Sequence, residues 1–249
     1  MKIAVITGAS SGLGAEYCRL LQARGEYDEI WLIARRLERL QALKGDDARI
    51  RCLSLDLTDA AAFDALCKEL TAHNAEIALL INNAGLGTYG SLETLSAESQ
   101  VRMTDLNVTA LTRMTAVCLP FMKRGAEIIN IASIASFAPN PGMTVYSSTK
   151  AYVLSFSCGL REELKSRGIR VLAVCPGPMD TEFLDVAEIR GRSKMFDTLP
   201  YADPKKVAAS SLKAARRGRA IYTPLFLFKL YRVLAKILPV TLMIKFTKT

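Results

Sequence analysis

Short apolar runs alternate along the chain with longer segments in which apolar residues recur at helical spacing. The runs have the length and the Val/Ile/Leu content of buried strands, and they predict strands at 2–7, 29–34, 50–55, 77–82, 126–132, 169–175 and 219–223. The longer segments predict helices near 12–24, 36–44, 59–72, 96–123, 144–167 and 203–216. Because strands that alternate with helices form right-handed crossovers, the pattern predicts an α/β fold with a doubly wound parallel sheet of about seven strands.

Two stretches depart from this alternation. Residues 178–204 mix turn formers, charged residues and apolar residues without a regular helical or strand spacing. Residues 224–249 are rich in apolar and basic residues. No Gly/Pro/Ser-rich linker divides the sequence, and 249 residues suffice for one well-packed core. Residues 1–249 are therefore predicted to form a single domain.

A glycine-rich turn follows the first predicted strand. Residues 7–14 read Thr-Gly-Ala-Ser-Ser-Gly-Leu-Gly, and a helical pattern begins within them. A strand, a glycine turn and a helix in succession can hold a pyrophosphate on backbone N–H groups and the helix N-terminus. The spacing Gly-x-x-x-Gly-x-Gly differs from the Gly-x-Gly-x-x-Gly of other dinucleotide-binding folds, and a tight loop without a ligand is the alternative interpretation.

Tyr146 and Lys150 form a Tyr-x-x-x-Lys pair inside a predicted helix. Residues four apart share a helix face, so the phenol and the ammonium project into the same space. A tyrosine with an unperturbed pKa of about 10 is a poor acid–base catalyst at neutral pH, but a nearby cation favours the phenolate and lowers that pKa. The pair predicts proton transfer in a carbonyl–alcohol interconversion. The same spacing also occurs by chance on exposed helices, so the prediction depends on the other motifs.

These motifs resemble those of the short-chain dehydrogenase/reductase family. Residues 7–14 are similar to its cofactor turn, residues 82–85 (Asn-Asn-Ala-Gly) to its fourth-strand motif, and residues 176–181 (Pro-Gly-Pro-Met-Asp-Thr) to the segment after its sixth strand. The resemblance implies a Rossmann-type fold and an oxidoreductase that uses a nicotinamide cofactor. It also implies homodimers or tetramers that pair the helices carrying Asn107 and Tyr146.

The resemblance further implies a catalytic set. Ser133, 13 residues before Tyr146 in the sequence, would bind the substrate oxygen, and Tyr146 would transfer the proton. Lys150 would lower the pKa of the tyrosine and hold the nicotinamide ribose, and Asn107 would anchor a water that leads protons from Lys150 to solvent. Ser136 is a rival to Ser133, although its gap to Tyr146 is only 10 residues.

The residues after the second predicted strand indicate which cofactor is used. An acidic residue about 20 positions past the glycines would bind the ribose 2′-hydroxyl of NAD, but Ala34 stands there and Arg35 and Arg36 follow. Because guanidinium groups suit a 2′-phosphate, NADP(H) is predicted with Arg35 as its contact, whereas Arg36 is also explained as a solvated helix residue. Asp56 would contact the adenine or cap the next helix. The expected cofactor-binding residues are Gly8, Ser10, Ser11, Gly12, Leu13, Gly14, Arg35, Asp56, Leu57, Asn83, Ala84, Gly85, Tyr146, Lys150, Pro176, Gly177 and Thr181.

Residues 178–204 correspond to the mobile substrate lid of the family, with a surface insertion as the alternative. The candidate substrate wall is apolar and suggests a lipophilic ketone or alcohol: Leu86, Tyr89, Phe137, Met143, Phe183 and Leu184. The predicted activity is therefore that of an NADP(H)-dependent carbonyl reductase or alcohol dehydrogenase. Narrower alternatives are a hydroxysteroid dehydrogenase and a 3-ketoacyl-thioester reductase. Non-enzymatic alternatives are a cofactor-sensing regulator, which should lack part of the Ser, Tyr and Lys set, and a membrane-associated interaction protein.

The net charge of +9 is unevenly distributed. Residues 1–189 hold 19 Lys/Arg and 22 Asp/Glu, a balance of −3, whereas residues 190–249 hold 14 Lys/Arg with only Asp197 and Asp203, a balance of +12. Basic segments favour anionic partners. Nucleic acid is a poor candidate, because the segment contains no known nucleic-acid-reading module.

The basic C-terminal segment also has an amphipathic pattern. Lys229, Arg232 and Lys236 share one face of a helix predicted over 225–238, which Pro239 ends. No uncharged run reaches the roughly 20 residues that a membrane-spanning helix needs. Two interpretations stay open: a helix lying on an anionic membrane surface, and an internal element that packs on the enzyme body or on a second subunit.

Six cysteines are scattered along the sequence without a Cys-x-x-Cys pair. Neither a disulfide framework nor a zinc site is indicated, which suits a reducing cytoplasm. The four apolar residues before the glycine turn are too few for the h-region of a signal peptide. A cytoplasmic protein is therefore predicted, with peripheral contact to the inner face of a membrane as an option for the tail, and no metal ligand is assigned.

Overall fold

The strands of the structure fall close to their predicted positions. The structure, a computed structural model, describes residues 1–247 apart from the side chains of residues 194 and 195; residues 248 and 249, the end of the predicted tail, lie outside it. The strands are β1 (Lys2–Thr7), β2 (Glu29–Ala34), β3 (Ile50–Ser54), β4 (Glu76–Asn82), β5 (Glu127–Ile131), β6 (Arg170–Val174) and β7 (Ile221–Tyr222). Across the described residues they form one sheet in the order β3-β2-β1-β4-β5-β6-β7, and all neighbours are parallel. The predicted Rossmann-type, doubly wound sheet is confirmed.

Helices connect the strands and flank both faces of the sheet. They are α1 (Gly12–Arg24), α2 (Leu37–Lys44), α3 (Ala61–Ala72), α4 (Ala97–Thr104), α5 (Leu111–Cys118), α6 (Thr144–Glu163), α7 (Glu182–Val186), α8 (Lys194–Thr198), α9 (Pro204–Arg216), α10 (Phe226–Ile237) and α11 (Val240–Phe246). Short 3₁₀ segments occur at Leu119–Phe121 and Ile134–Ser136.

Alternate residues of the central strand β1 pack into the two helical layers. Ala4 and Ile6 lie in a cluster with residues of α1, α2 and α9, and Ile3 and Val5 lie in a cluster with residues of α3, α5 and α6. All four side chains are completely buried, as expected for a parallel strand covered on both faces. Packing on both sides therefore fixes the carboxyl end of β1, where the glycine turn begins.

The helix predicted over 96–123 is interrupted, so that prediction is wrong in detail. A π-helical segment, Asp105–Ala110, separates α4 from α5. Such segments insert an extra residue into a helical turn and occur frequently at functional sites. Asn107 lies within this one and bonds through its side chain to the backbone of Leu86. A one-residue insertion of this kind leaves the apolar spacing nearly unchanged, and the sequence pattern therefore did not reveal it.

Strand β7 is shorter than the five residues predicted at 219–223. Only Ile221 and Tyr222 pair with β6. Pro224 follows closely and has no N–H to donate, which limits the extension of the strand.

The two irregular regions contain short helices. Residues 178–204 contain α7 and α8, and the helix predicted over 225–238 corresponds to α10, which Pro239 separates from α11. Among the helices of residues 1–247, none has the length and apolar character needed to cross a membrane. The assignment of residues 178–204 as a substrate lid stays a prediction.

Candidate active site

A cavity of about 330 Å³ lies at the carboxyl ends of the strands, where the strand order reverses between β1 and β4. Its walls are built by the residues that follow β1 to β6. Ligands of open α/β sheets bind at this location, because the loops on either side of the reversal diverge and leave a crevice. All the predicted catalytic and cofactor-binding residues except Gly14 and Asn107 line this cavity.

The turn between β1 and α1 requires glycine for two different reasons. Gly8 and Gly12 have φ angles of +63° and +52°, which residues with a side chain rarely adopt. A Cβ on Gly8 would lie 2.7 Å from the Cα of Ala84, and a Cβ on Gly14 would meet the carbonyl oxygen of Gly8. Gly14 therefore allows close packing of the turn rather than lining the cavity.

Side-chain hydrogen bonds attach the glycine turn to the end of β4. Asn83 Nδ2 donates to the carbonyl oxygens of Thr7 (3.1 Å) and Gly8 (3.0 Å), and Thr7 Oγ1 accepts from the N–H groups of Asn83 and Ala84 at 3.0 Å each. Ser11 is the N-cap of α1, but its side chain does not cap the helix. Its hydroxyl accepts a hydrogen bond from Arg36 instead. The N–H groups of the first turn of α1 are therefore available to an anion, which fits the pyrophosphate of a dinucleotide.

Tyr146 and Ser133 are both buried in the cavity wall. Burial raises the pKa of Tyr146 to about 12, and the side chain of Ser133 acts in the opposite direction. The phenol is therefore protonated at neutral pH and able to donate to a substrate oxygen. Ser133 is held in place because its Oγ accepts from the N–H of Ala135 at 3.1 Å.

The rival serine, Ser136, points elsewhere. Its hydroxyl donates to the carbonyl oxygen of Ser133 at 2.5 Å and lies 3.9 Å from the Sγ of Cys175. Ser133 lines the cavity and Ser136 does not. The geometry therefore favours Ser133 of the two.

Lys150 lies one helical turn after Tyr146 on α6, and both residues are buried in the cavity wall. Its Nζ is 5.8 Å from the centre of the Tyr146 ring and donates to the carbonyl oxygen of Ile131 at 2.9 Å. Burial lowers the pKa of Lys150 to about 8, because a buried ammonium loses hydration. Burial of the phenol is the largest influence on the pKa of Tyr146 and raises it, so the expected lowering by this ammonium stays a prediction.

Asn107 supports the site from behind the cavity wall. Its Nδ2 donates to the carbonyl oxygen of Leu86 (2.8 Å) and to Thr149 Oγ1 (3.0 Å), and its Oδ1 accepts from the N–H of Leu86 (2.8 Å). A Cβ on Gly85 would lie 3.2 Å from both Asn107 Oδ1 and Lys150 Nζ, so the two side chains border the same small space. The predicted water link between them stays a prediction.

An ion-pair cluster beside the glycine turn was not predicted. Arg36 forms a bidentate pair with Glu182 at 2.6 and 2.9 Å, and it also donates to the hydroxyls of Ser10 (3.1 Å) and Ser11 (3.3 Å). Arg39 contacts the same carboxylate at 2.7 Å. Hydrogen bonds from Arg36, followed by those from Arg39, lower the pKa of Glu182 to about 2. Glu182 begins α7, so the cluster ties the predicted lid to the cofactor side of the cavity.

Asp56 lines the cavity after β3. Its Oδ1 accepts from the backbone N–H (3.0 Å) and the hydroxyl (2.8 Å) of Thr58. Burial alone would raise the pKa of Asp56, but these bonds and the charges of Arg35 and Arg102 together lower it. A different carboxylate, that of Asp59, accepts from the backbone N–H at the start of α3. The capping alternative for Asp56 therefore has less support than a role in the cavity.

The side of the cavity next to the predicted lid is apolar. Of the predicted wall residues, the ones that line it are Leu86, Met143, Phe183 and Leu184, whereas Tyr89 and Phe137 do not. The ring centre of Phe183 is 5.8 Å from that of Tyr146. Phe137 instead packs on Tyr231 of α10, with ring centres 5.8 Å apart. Five further apolar residues of the lid region were missed and also line the cavity: Met179, Val186, Ile189, Phe196 and Leu199.

Known proteins resemble this chain in both sequence and structure. The family model described as short chain dehydrogenase matches residues 2–189. The chain is 38% identical over 189 residues, 72% of each protein, to a sulfoacetaldehyde reductase of Chromohalobacter salexigens. A solved short-chain dehydrogenase of Sphingobium yanoikuyae in complex with NADPH is 34% identical with a TM-score of 0.81, covering 95% of this chain and 93% of that one. The bulky-bulky ketone specific alcohol dehydrogenase of Comamonas testosteroni is 32% identical with a TM-score of 0.76, covering 95% and 92%.

Proposed function

The chain belongs to the short-chain dehydrogenase family of oxidoreductases, and from that premise we propose that it catalyses the NADP(H)-dependent interconversion of a carbonyl compound and a secondary alcohol. The observation that carries the proposal is a shared cavity: Ser133, Tyr146 and Lys150 line the same cavity as the glycine turn. A proton donor beside a dinucleotide-binding turn supplies the two parts that carbonyl–alcohol chemistry requires.

Each polar residue of the cavity has a defined part in the proposed reaction. When bound, the nicotinamide ring supplies or accepts the hydride. In reduction, Tyr146 donates its proton to the substrate oxygen while Ser133 donates a hydrogen bond to the same atom. In oxidation, Tyr146 accepts the proton, and the nearby ammonium of Lys150 favours the phenolate. Asn107 acts as a positioning residue for the loop after β4.

The residues around the cavity also fit the parts of the cofactor. The turn from Gly8 to Gly14 would hold the pyrophosphate, and Asp56 and Leu57 would contact the adenine. Residues 83–85 and 176–181 would border the nicotinamide end, and Lys150 would bind its ribose. These assignments extend the family resemblance to positions that lie together in one cavity.

A preference for NADP(H) over NAD(H) is part of the proposal. Ala34 occupies the position where an acidic residue would bind the 2′-hydroxyl of NAD, and its side chain is nearly buried. Arg35 lies exposed at the cavity, so its guanidinium group is available to a 2′-phosphate. The guanidinium group of Arg36 reaches the Ser10 hydroxyl but is paired with Glu182. The NADPH bound by the Sphingobium relative supports this preference.

The proposed substrate is a lipophilic ketone or its alcohol. Tyr146 lies in an apolar cluster with Met143, Leu184 and Ile189, and such a wall favours apolar substituents on the carbonyl carbon. The bulky-bulky ketone specificity of the Comamonas relative supports this class, whereas the similarity to a sulfoacetaldehyde reductase favours an aldehyde instead. A hydroxysteroid dehydrogenase and a 3-ketoacyl-thioester reductase are narrower alternatives.

A substrate panel followed by NADPH absorbance tests the function. The panel contains bulky ketones, steroid ketones, 3-ketoacyl thioesters and sulfonated aldehydes, each also assayed with NADH. We expect the highest kcat/KM with NADPH and an apolar ketone. Turnover restricted to sulfonated aldehydes would contradict the lipophilic substrate, and NADPH binding without any turnover would favour a cofactor-sensing regulator.

A homo-oligomer is proposed through the helices that carry Asn107 and Tyr146. The exposed surface of these helices includes Val101, which is 58% exposed, and Tyr152, which stacks on Phe156. Light scattering of the full chain measures the assembly directly, and a monomeric mass would contradict it.

A further inference from the structure

The exposed apolar side chains of the protein are concentrated in its last two helices. Of the seventeen large apolar side chains that are exposed on the described residues, ten lie between residues 225 and 246: Leu225, Phe226, Leu227, Leu230, Val233, Leu234, Ile237, Val240, Leu242 and Phe246. Single exposed apolar residues are normal on soluble proteins, but a contiguous group marks an interaction surface. We call this group the tail face.

Helix α10 has three separate surfaces. At 100° per residue, its exposed apolar side chains fall within an arc of about 120°. Lys229 and Lys236 are exposed on one side of that arc. Phe228 and Tyr231 lie on the other side, where Phe228 is 1% exposed. The apolar surface of α10 is therefore distinct from the surface that packs on the protein.

The buried surface fixes the two helices on the loops of the active site. The ring of Phe228 occupies the space that a Cβ on Gly177 would need, and Tyr231 contacts Phe137. Thr247 Oγ1 donates at 2.6 Å to a carbonyl oxygen of the loop after β5. Packing on the enzyme body thus accounts for one surface of the tail and leaves the tail face exposed.

We infer that the tail face docks on the surface of an anionic lipid bilayer. An interfacial helix combines an apolar arc with basic residues beside it, and lysines reach the headgroups while their stems follow the apolar surface. Residues 190–249 have a balance of +12, which attracts an anionic surface over about a Debye length. The contact is peripheral, because none of the described helices can cross the membrane.

Charge complementarity distinguishes the bilayer from a second copy of the chain. A two-fold contact would bring the tail face against itself, and with it the basic flanks formed by Lys229 and Lys236 of both copies. The last acidic residue of the sequence is Asp203, so the tail itself offers those lysines no carboxylate. Anionic headgroups would neutralise the same charges.

Vesicle flotation of the full-length protein tests the inference without measuring turnover. The probes are vesicles of phosphatidylcholine alone and of phosphatidylcholine with phosphatidylglycerol. We expect flotation with the anionic vesicles only, reduced at high salt because salt screens exposed charges. Phe226→Ser with Ile237→Ser should weaken binding more than tenfold. Lys229→Gln with Lys236→Gln should weaken it roughly ten- to thirtyfold, up to about 1 kcal/mol for each lysine.

Matched variants outside the tail serve as controls. Leu37→Ser with Leu92→Ser removes two exposed apolar side chains, and Lys68→Gln with Lys165→Gln removes two exposed lysines. Both pairs should float like the unmodified protein, and thermal melting verifies that every variant folds.

Three results would overturn the inference. They are no flotation of the unmodified protein, flotation that the tail variants retain, and flotation that the control variants lose equally. Light scattering tests the alternative occupant of the tail face, a second copy of the chain. If the unmodified protein does not float and the Phe226→Ser, Ile237→Ser variant has a smaller mass, the tail face joins two copies instead.

Discussion

Residues 1–189 and residues 190–247 differ in how their side chains are held. The first region contains β1 to β6, most of whose aliphatic residues are buried, and the hydrogen bonds of Asn83 and Asn107 that fix the cavity wall. The second region contains α10 and α11, which pack through one surface and expose nine large apolar side chains, with a tenth at Leu225 just before α10. The two parts of the sequence also differ in charge: residues 1–189 have a balance of −3, and residues 190–249 have a balance of +12. The family match ends at the same place, residue 189.

The two regions have different parts in the proposed function: the first holds the reacting groups, and the second provides a surface for contact with a partner. Groups that transfer protons need positions fixed to a fraction of an ångström, and the first region supplies them through packing and short hydrogen bonds. Surfaces that meet a large partner need exposure instead. Substitutions in the first region should therefore change turnover and cofactor choice, whereas those in the second should change stability or association.

The largest expected effect is on turnover in the first region. Tyr146→Phe removes the proposed proton donor, and loss of a positioned acid–base group costs roughly 10²- to 10⁴-fold in rate. NADPH binding should persist, because the glycine turn is unchanged. Steady-state kcat and a fluorescence titration with NADPH measure the two quantities.

Tyr152→Phe is the matched control for this prediction. Tyr152 lies on the same helix, but its hydroxyl bonds to Thr112 at 2.9 Å and it does not line the cavity. Turnover of Tyr152→Phe should equal that of the unmodified protein. If Tyr146→Phe keeps full turnover, the proposed proton donor is wrong.

The contrast between these regions also explains what the sequence could predict. The sheet and most of the cavity residues followed from local spacing, because a glycine turn or a Tyr-x-x-x-Lys pair is complete within a few residues. The Arg36–Glu182 pair joins residues 146 positions apart, and only folding brings them together. The raised pKa of Tyr146 was missed for a related reason: it comes from burial, which depends on the whole fold.

The two surfaces of α10 give the next prediction, on stability. Phe228→Ala should lower the free energy of unfolding by about 3–5 kcal/mol, since truncating a buried phenylalanine removes packing and leaves a cavity. Phe226→Ala, two residues earlier and 79% exposed, should change it by less than about 0.5 kcal/mol. Urea denaturation of both variants measures the difference. Equal losses would mean that α10 does not pack through the surface described.

A third prediction concerns cofactor choice in the first region. Arg35→Ala should reduce the kcat/KM preference for NADPH over NADH by about one to two decades, because charge-assisted bonds to a phosphate contribute roughly 1.5–3 kcal/mol. Use of NADH should be nearly unchanged. Arg19→Ala is the control, since Arg19 lies on α1 and does not line the cavity. Equal efficiency of the unmodified enzyme with both cofactors would refute the preference.

The smallest expected effect is at the contact between the lid and the cofactor side, Glu182 with Arg36 and Arg39. Glu182→Gln removes the carboxylate that neutralises Arg36, so NADPH should bind about 1.4- to fivefold more tightly, the range of a partly exposed ion pair of ~0.2–1 kcal/mol. The pKa of Glu182 is lowered from 4.5 to about 2, so its stabilising ion pair is complete above pH 4.5 and is lost as the pH falls toward 2. The melting temperature of the unmodified protein should therefore approach that of Glu182→Gln over this interval. Asp185→Asn is the control: Asp185 lies on the same helix as Glu182, but its carboxylate pairs with Arg190, beyond the end of that helix. This variant should leave NADPH affinity unchanged; if it tightens NADPH binding equally, the effect of Glu182 is one of net charge and not of its contact with Arg36.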